Sequence, residues 1–182
     1  MDTIALFGGS FDPPHIGHEA VIKALKKFKD IDKIIIMPTF LNPFKSDFYA
    51  PSSLRLKWLK EIFNEETNVE ISDYEVLQNR QVPTIETIKY LLKSYNKIYL
   101  VIGADNLAKL SEWNSYDELN KLVTFVVAQR DGIEIPSEFI VLKVDNKTSS
   151  THLREQMELS KLPKKCAKEI YDFYKEEHCK IE

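Results

Sequence analysis

Short apolar runs rich in β-branched residues recur along the chain: "TIALF" (3–7), "KIIIM" (33–37), "KIYLVIG" (97–103), "VTFVVAQ" (123–129) and "FIVLKV" (139–144), with "VEIS" (69–72) a weaker sixth. They are nearly continuous rather than alternating, as expected of parallel strands covered on both faces. Between them the apolar positions change period. Val21, Ala24, Leu25 and Phe28 stand at i, i+3, i+4 and i+7; Leu54, Trp58 and Ile62 repeat every fourth residue, with Leu59 and Phe63 widening the face. Ile85, Ile88 and Leu92 form a third stripe, and Ala167, Ile170, Tyr171 and Tyr174 a fourth. Each stripe predicts a helix with one apolar side. Strands alternating with helices predict an α/β fold, a doubly wound, mostly parallel sheet with helices on both faces, in a single domain over 1–182.

One long irregular stretch breaks the alternation, Pro38 to Ser52, "PTFLNPFKSDFYAPS". A loop of that length in a compact domain is more often functional than idle. In open α/β sheets the ligand sits in the crevice at the carboxyl ends of the strands. That brings the segments after Phe7, Met37, Ile102 and Val144 around one site, and every chemically suggestive stretch of the chain lies just after one of those strand ends.

Composition narrows the function. The net charge is −3 with a pI near 5.9, which argues against a general nucleic-acid or membrane-surface binder. An anionic ligand must then be held by locally placed donors. The two cysteines, Cys166 and Cys179, form no CxxC and no metal-type spacing, so reduced thiols are expected. The start, "MDTIALFGGS", has no basic n-region, and no apolar run is long enough to span a bilayer. These features predict a cytoplasmic protein acting on small molecules, compatible with a homo-oligomer as well as a monomer.

The first loop, "GGSFDPPHIGH" (8–18), carries the strongest chemistry. Gly8 and Gly9 let a ligand approach the backbone closely. Pro13 and Pro14 suit the first turn of a helix, and Asp12 before them reads as its cap or as a catalytic group. His15 and His18, three apart, share one face of that first turn, where free backbone N–H groups and the positive dipole end favour an anion. No GxxxxGK[ST] and no GxGxxG is present. A zinc site would need a third ligand, and HxxH here has no HExxH or cysteine partner.

Other strand ends add candidates. In "NKTSSTHLREQ" (146–156), Ser149, Ser150 and Thr151 can cap a helix that carries Arg154, with Ser150 and Arg154 on one face toward phosphate oxygens. "IGADNLAKLSEW" (102–113) supplies Gly103 for a tight strand-to-loop turn, Asp105 as an acceptor for ribose or amide, and Trp113 as a stacking face or a core residue. Thr84 reads as a helix N-cap within reach of ligand; Lys45 and Arg130 are cationic candidates.

These residues resemble a known family. "GGSFDPPHIGH" is similar to the GGxFDPxHxGH loop of the HxGH nucleotidyltransferases, and "TSSTHLRE" to their ISSTxxR motif, with Thr148 in place of isoleucine. "IGADNLAKLSEW" resembles the IGxDxLxxLxxW stretch of nicotinate-nucleotide adenylyltransferases, and "RLKWL" (55–59) their RxxML. The resemblance runs from Ile4 to Arg154. It implies transfer of the adenylyl group of ATP to nicotinate mononucleotide, releasing pyrophosphate, with Mg²⁺ carried mainly by the ATP phosphates. It further implies that His15, His18 and Arg154 act on the phosphates, that Gly8, Gly9, Ser10, Gly103, Ser149 and Ser150 line the ATP, and that Lys45, Thr84, Asp105, Trp113 and Arg130 hold the acceptor. Two segments depart from the pattern: Phe44 stands where the family often has histidine, and Val82-Pro83 stand where it has Ser-Tyr.

The residue types suit that reaction. A phosphomonoester is mostly dianionic at neutral pH, so the nucleophile needs no general base. Catalysis becomes positioning and charge stabilisation, with the histidines as donors and imidazolium favoured by the nearby phosphates. The rival readings are a transferase acting on phosphopantetheine, a nucleotide sensor without turnover, and a histidine metallohydrolase.

Overall fold

The continuous apolar runs become strands because both of their faces are covered. A computed structural model describes residues 2–42, 44–145 and 148–179. Pro43 of the long loop, Asn146 and Lys147 at the head of the last motif, and the Cys179 side chain lie outside the described set. Strands β1 (Thr3–Gly9), β2 (Lys33–Pro38), β3 (Val69–Ile71), β4 (Lys97–Gly103), β5 (Thr124–Ala128) and β6 (Ile140–Leu142) form one parallel sheet in the order β3-β2-β1-β4-β5-β6.

Successive residues of each strand face opposite layers. Ala5, Phe7, Ile34, Ile36, Tyr99 and Val101 pack on helices α1 (Ile16–Leu25), α2 (Ser52–Ile62) and, beyond a short α6 (Ser150–Glu155), α7 (Ala167–Cys179). Ile4, Leu6, Ile35, Met37, Ile98 and Leu100 pack on the opposite layer, which contains α4 (Thr84–Leu91) and α5 (Tyr116–Leu122). The stripes predicted from spacing supply the covering: Val21, Leu25, Trp58, Ile88, Ile170 and Tyr174 are all buried. A one-turn helix α3 (Tyr74–Leu77) and a 3-10 segment (Ala104–Glu112) join the elements without having been visible as stripes.

Strand β1 is two residues longer than its apolar run. Gly8 and Gly9 continue the ladder against Met37 and Pro38 of β2. Conversely, "FIVLKV" yields only three residues of strand, at the sheet edge where Ile140 and Val141 stay exposed. The strand order reverses between β1 and β4. A crevice therefore opens at their carboxyl ends, where the candidate residues lie.

Candidate active site

At that crevice lies a cavity of about 710 Å³, and the candidate phosphate- and acceptor-binding residues read from the sequence line it, whereas Asp12 does not. The first loop contributes Gly8, Gly9, Ser10, His15 and His18; the end of β4 contributes Gly103, Asp105 and Trp113. Lys45 comes from the long loop, Thr84 from α4, Arg130 from beyond β5, and Ser149, Ser150 and Arg154 from α6. Segments distant in the chain converge because parallel strands all end on one side of the sheet.

The histidines do something the spacing alone did not reveal. His15 is the N-cap of α1: its Nδ1 accepts the Gly17 N–H at 3.1 Å, and His18 Nδ1 accepts the His15 N–H at 3.1 Å. The reciprocal pair satisfies two of the orphan donors of the helix start. Both Nδ1 atoms are thus acceptors, so each neutral ring carries its proton on Nε2. The rings stack with centroids 3.7 Å apart, and Phe11 meets His18 edge-on at 4.7 Å. Burial, reinforced by Arg130, pushes His15 down to about 3; loss of water, His15 and Arg130 together push His18 well below its ordinary value. The expectation of imidazolium is therefore corrected. Protonating Nδ1 would set donor against donor and break the cap.

Asp12 is not the cap of α1. The helix begins at Ile16, past both prolines, and Asp12 is buried on the other side of the loop. Its carboxylate accepts the N–H groups of Tyr49 (2.9 Å) and Ala50 (3.0 Å) and the hydroxyl of Tyr174. Arg55, 1 % exposed, works on the same loop from the opposite charge: Nε donates to Ala50 O, Nη1 to Ser10 O and Thr39 O, and Nη2 to Phe40 O. Neither role was legible in the sequence, because the partners come from the first loop, the long loop and α7, which meet only in the fold.

Ser149 caps α6, its Oγ accepting the His152 N–H at 3.2 Å. Ser150 Oγ donates to Pro13 O at 2.9 Å, and Arg154 Nη1 donates to Asp12 O while its guanidinium lies over the Tyr49 ring. Those contacts close α6 onto the first loop. Arg130 donates to Thr148 O at 2.9 Å and stands 3.9 Å from Asp105. Partial burial, then Arg154 and Arg55, lower the Lys45 amine against an opposing pull from Asp12.

Two expectations change. Thr84 is the first helical residue of α4, with Pro83 at the cap position and no side-chain cap. Gly103 has an ordinary φ of −75°, so no turn demands it. A Cβ there would lie 2.4 Å from Asp105 Oδ1, the tip of an exposed side chain that can turn aside, so space does not demand glycine either. Trp113 is partly buried, packed against the α4 layer while lining the cavity. Glu75 and Thr87 also line the cavity, hydrogen-bonded to each other at 2.6 Å. Isolated in their segments, they gave no sequence signal.

The cytidylyltransferase-like family matches residues 6–156. A Sulfurimonas denitrificans protein named "Probable nicotinate-nucleotide adenylyltransferase" is 84% identical over the full length of both chains. A Campylobacter jejuni protein of the same name is 49% identical over 174 residues, covering 94% of this chain and 96% of that one. The chain belongs to the nicotinate-nucleotide adenylyltransferase family. The fold agrees with that of an adenylyltransferase outside the bacteria. Nicotinic acid mononucleotide adenylyltransferase of Plasmodium falciparum, solved with NaAD, superposes with a TM-score of 0.77 at 20% identity, over 97% of this chain and 96% of that one. The resemblance drawn from the two end motifs and "IGADNLAKLSEW" thus holds for this adenylyltransferase chain.

Proposed function

We propose that the chain transfers the adenylyl group of ATP to nicotinate mononucleotide, giving nicotinate adenine dinucleotide and pyrophosphate. The histidine pair carries the catalytic part of this reading. Two Nε2–H donors, fixed by backbone caps, are offered to the cavity at a helix start where anions are favoured. The relatives' names support nicotinate mononucleotide as the acceptor.

The chemistry then follows from placement. The acceptor phosphate is already dianionic and attacks the α-phosphorus of ATP in line as pyrophosphate leaves, so no group of the protein need remove a proton. His15 and His18 donate to phosphate oxygens from Nε2 and gain strength where charge builds up in the transition state. Arg154, with Ser149 and Ser150, closes on the phosphates from the α6 side, while Gly8, Gly9 and Ser10 leave room along the first loop. Gly103 lines the wall beside Asp105. Lys45 and Arg130 add positive charge at the cavity wall, and Thr84, Asp105 and Trp113 take the pyridine nucleotide, Trp113 by stacking.

Among the described residues no three His, Cys, Asp or Glu side chains gather as a cation cage. A hard cation that keeps its waters and binds through substrate phosphates fits such a wall, so Mg²⁺ enters with ATP. There it would neutralise charge on the leaving pyrophosphate. Among the described residues no helix is long and apolar enough to cross a membrane, and the reading places the reaction in the cytoplasm.

Pyrophosphate release from Mg-ATP, measured with nicotinate mononucleotide, nicotinamide mononucleotide and phosphopantetheine, tests the assignment. Nicotinate mononucleotide is expected to react best. Trp113→Ala should raise KM for it by about tenfold or more, the weight of one lost aromatic stack, with a much smaller change for ATP. Equal KM changes for both substrates would remove Trp113 from the acceptor site, and turnover on phosphopantetheine alone would overturn the acceptor.

A further inference from the structure

We propose that Glu75 is a specificity-determining residue for the acceptor: held as the neutral acid, it donates from Oε2 to the carboxylate of nicotinate mononucleotide and so favours that acceptor over the carboxamide. The proposal rests on the placement of the pyridine nucleotide beside Thr84 and Trp113 given above.

Glu75 stands on α3, just past the carboxyl end of β3, and is 6 % exposed while lining the cavity. Oε1 accepts the hydroxyl of Thr87, itself 1 % exposed, at 2.6 Å. Thr87 is one turn beyond Thr84 on α4, so the two threonines share the face that looks across at Glu75. Oε2 has no hydrogen-bond partner among the described residues, and no lysine or arginine among them pairs with the carboxyl.

A carboxylate so enclosed and without a cation is costly, whereas the acid has one oxygen satisfied by Thr87 and one O–H left to give. Burial pushes Glu75 up to about 7, with a smaller push from Glu86 and an opposing one from the Thr87 hydroxyl. The ionisable groups around it act little beyond that. Glu86 on α4 is paired with Arg80 from the preceding turn, Tyr74 of its own helix stacks on Tyr90, and Lys45, Asp105 and Lys109 line other parts of the cavity.

The two ionisation states prefer different acceptors. The acid gives a charge-assisted hydrogen bond to a carboxylate, which a carboxamide oxygen matches only in its weaker, neutral form. The ionised form repels a carboxylate and accepts from a carboxamide N–H. Preference for the nicotinate substrate should therefore fall as pH rises through about 7.

The experiment measures kcat and KM for nicotinate and nicotinamide mononucleotides from pH 6 to 9 in the wild type and in Glu75→Gln. In the wild type the ratio of the two kcat/KM values should fall about tenfold or more across that range, through KM, since a bound carboxylate keeps the proton in place. Glutamine keeps an acceptor for Thr87 and a neutral donor at every pH, so the ratio in E75Q should stay flat. A wild-type ratio that does not change with pH overturns the proposal without any variant. So does an E75Q that retains the wild-type pH dependence, or that changes both acceptors equally, as a purely structural tie would. If Trp113→Ala leaves acceptor KM untouched, the placement itself fails instead.

Discussion

Each histidine of the first loop uses its two nitrogens for different tasks, and substitution can separate them. At His18, Nδ1 accepts the His15 N–H, and Nε2 is the donor left for a phosphate. Asparagine reproduces the first position and glutamine the second. His18→Asn should retain the cap and stability while lowering kcat by about 10²–10³, the scale for losing one preorganised donor. His18→Gln should lose about 1 kcal/mol of stability with the cap and retain more of kcat. Turnover and urea denaturation measured on both variants decide the point; equal damage to both quantities in both variants would mean that the nitrogens are not divided. The spacing of the two histidines was enough to place them on one face of a helix start. It did not show that they build that start themselves, because capping depends on side-chain direction rather than on position in the chain.

Between residues and the sheet, the long loop is the element that most needs explanation. Between Pro38, the last residue of β2, and Ser52, the first of α2, its described residues form no helix or strand, yet its backbone is held at both ends. Arg55 takes the carbonyls of Thr39, Phe40 and Ala50, and Asp12 takes the N–H groups of Tyr49 and Ala50. The loop is thereby fastened to the Gly8–Asp12 segment, since Arg55 also holds Ser10 O. Tyr174 of α7 anchors Asp12 from behind. Arg55→Lys leaves a compact ammonium that cannot span four carbonyls fanned around a planar fork. We expect a loss of about 2–4 kcal/mol, from carbonyls left buried and unpaired, seen as a lower urea midpoint with an unchanged m-value. KM should rise as well, because Asn42 and Lys45 of this loop line the cavity. A change below about 0.5 kcal/mol, the usual surface level, would show that the carbonyls find water instead. The sequence made the loop's length and the α2 stripe legible, and Arg55 appeared in the "RLKWL" match. What Arg55 and Tyr174 bond to was hidden, since their partners come together only when the sheet is assembled.

At the scale of the whole molecule, the buried ionisable groups of the site make stability depend on pH with two opposing signs. His15 ordinarily titrates near 6.5 and falls to about 3 in the folded chain; His18 also falls well below 6.5. Between these limits the unfolded chain binds protons that the folded chain refuses, so stability drops as pH falls from about 6.5 toward 3. Glu75 runs the other way, from 4.5 unfolded to about 7 folded. Between those values the folded chain keeps a proton the unfolded chain has lost, so this contribution is present at low pH and disappears as pH rises through 7. Above about pH 7 the two trends nearly cancel, so stability should rise to a plateau there. Below it, two histidines outweigh one glutamate by one proton, a slope of roughly 1.4 kcal/mol per pH unit, and the slope steepens below 4.5 as Glu75 drops out. Urea titrations without substrate at pH 5 to 8.5 measure this, and variants assign it. Glu75→Gln should remove the offset and steepen the acid limb to roughly 2.7 kcal/mol per pH unit; His18→Asn should flatten that limb, one histidine then balancing Glu75. If both variants kept the wild-type curve, the pH dependence would belong to the ordinary surface carboxylates. If Glu75→Gln steepened the acid limb and His18→Asn flattened it, the site's resting state would be neutral imidazoles beside a neutral acid, in a cavity kept uncharged on these walls so that phosphates and a carboxylate can enter.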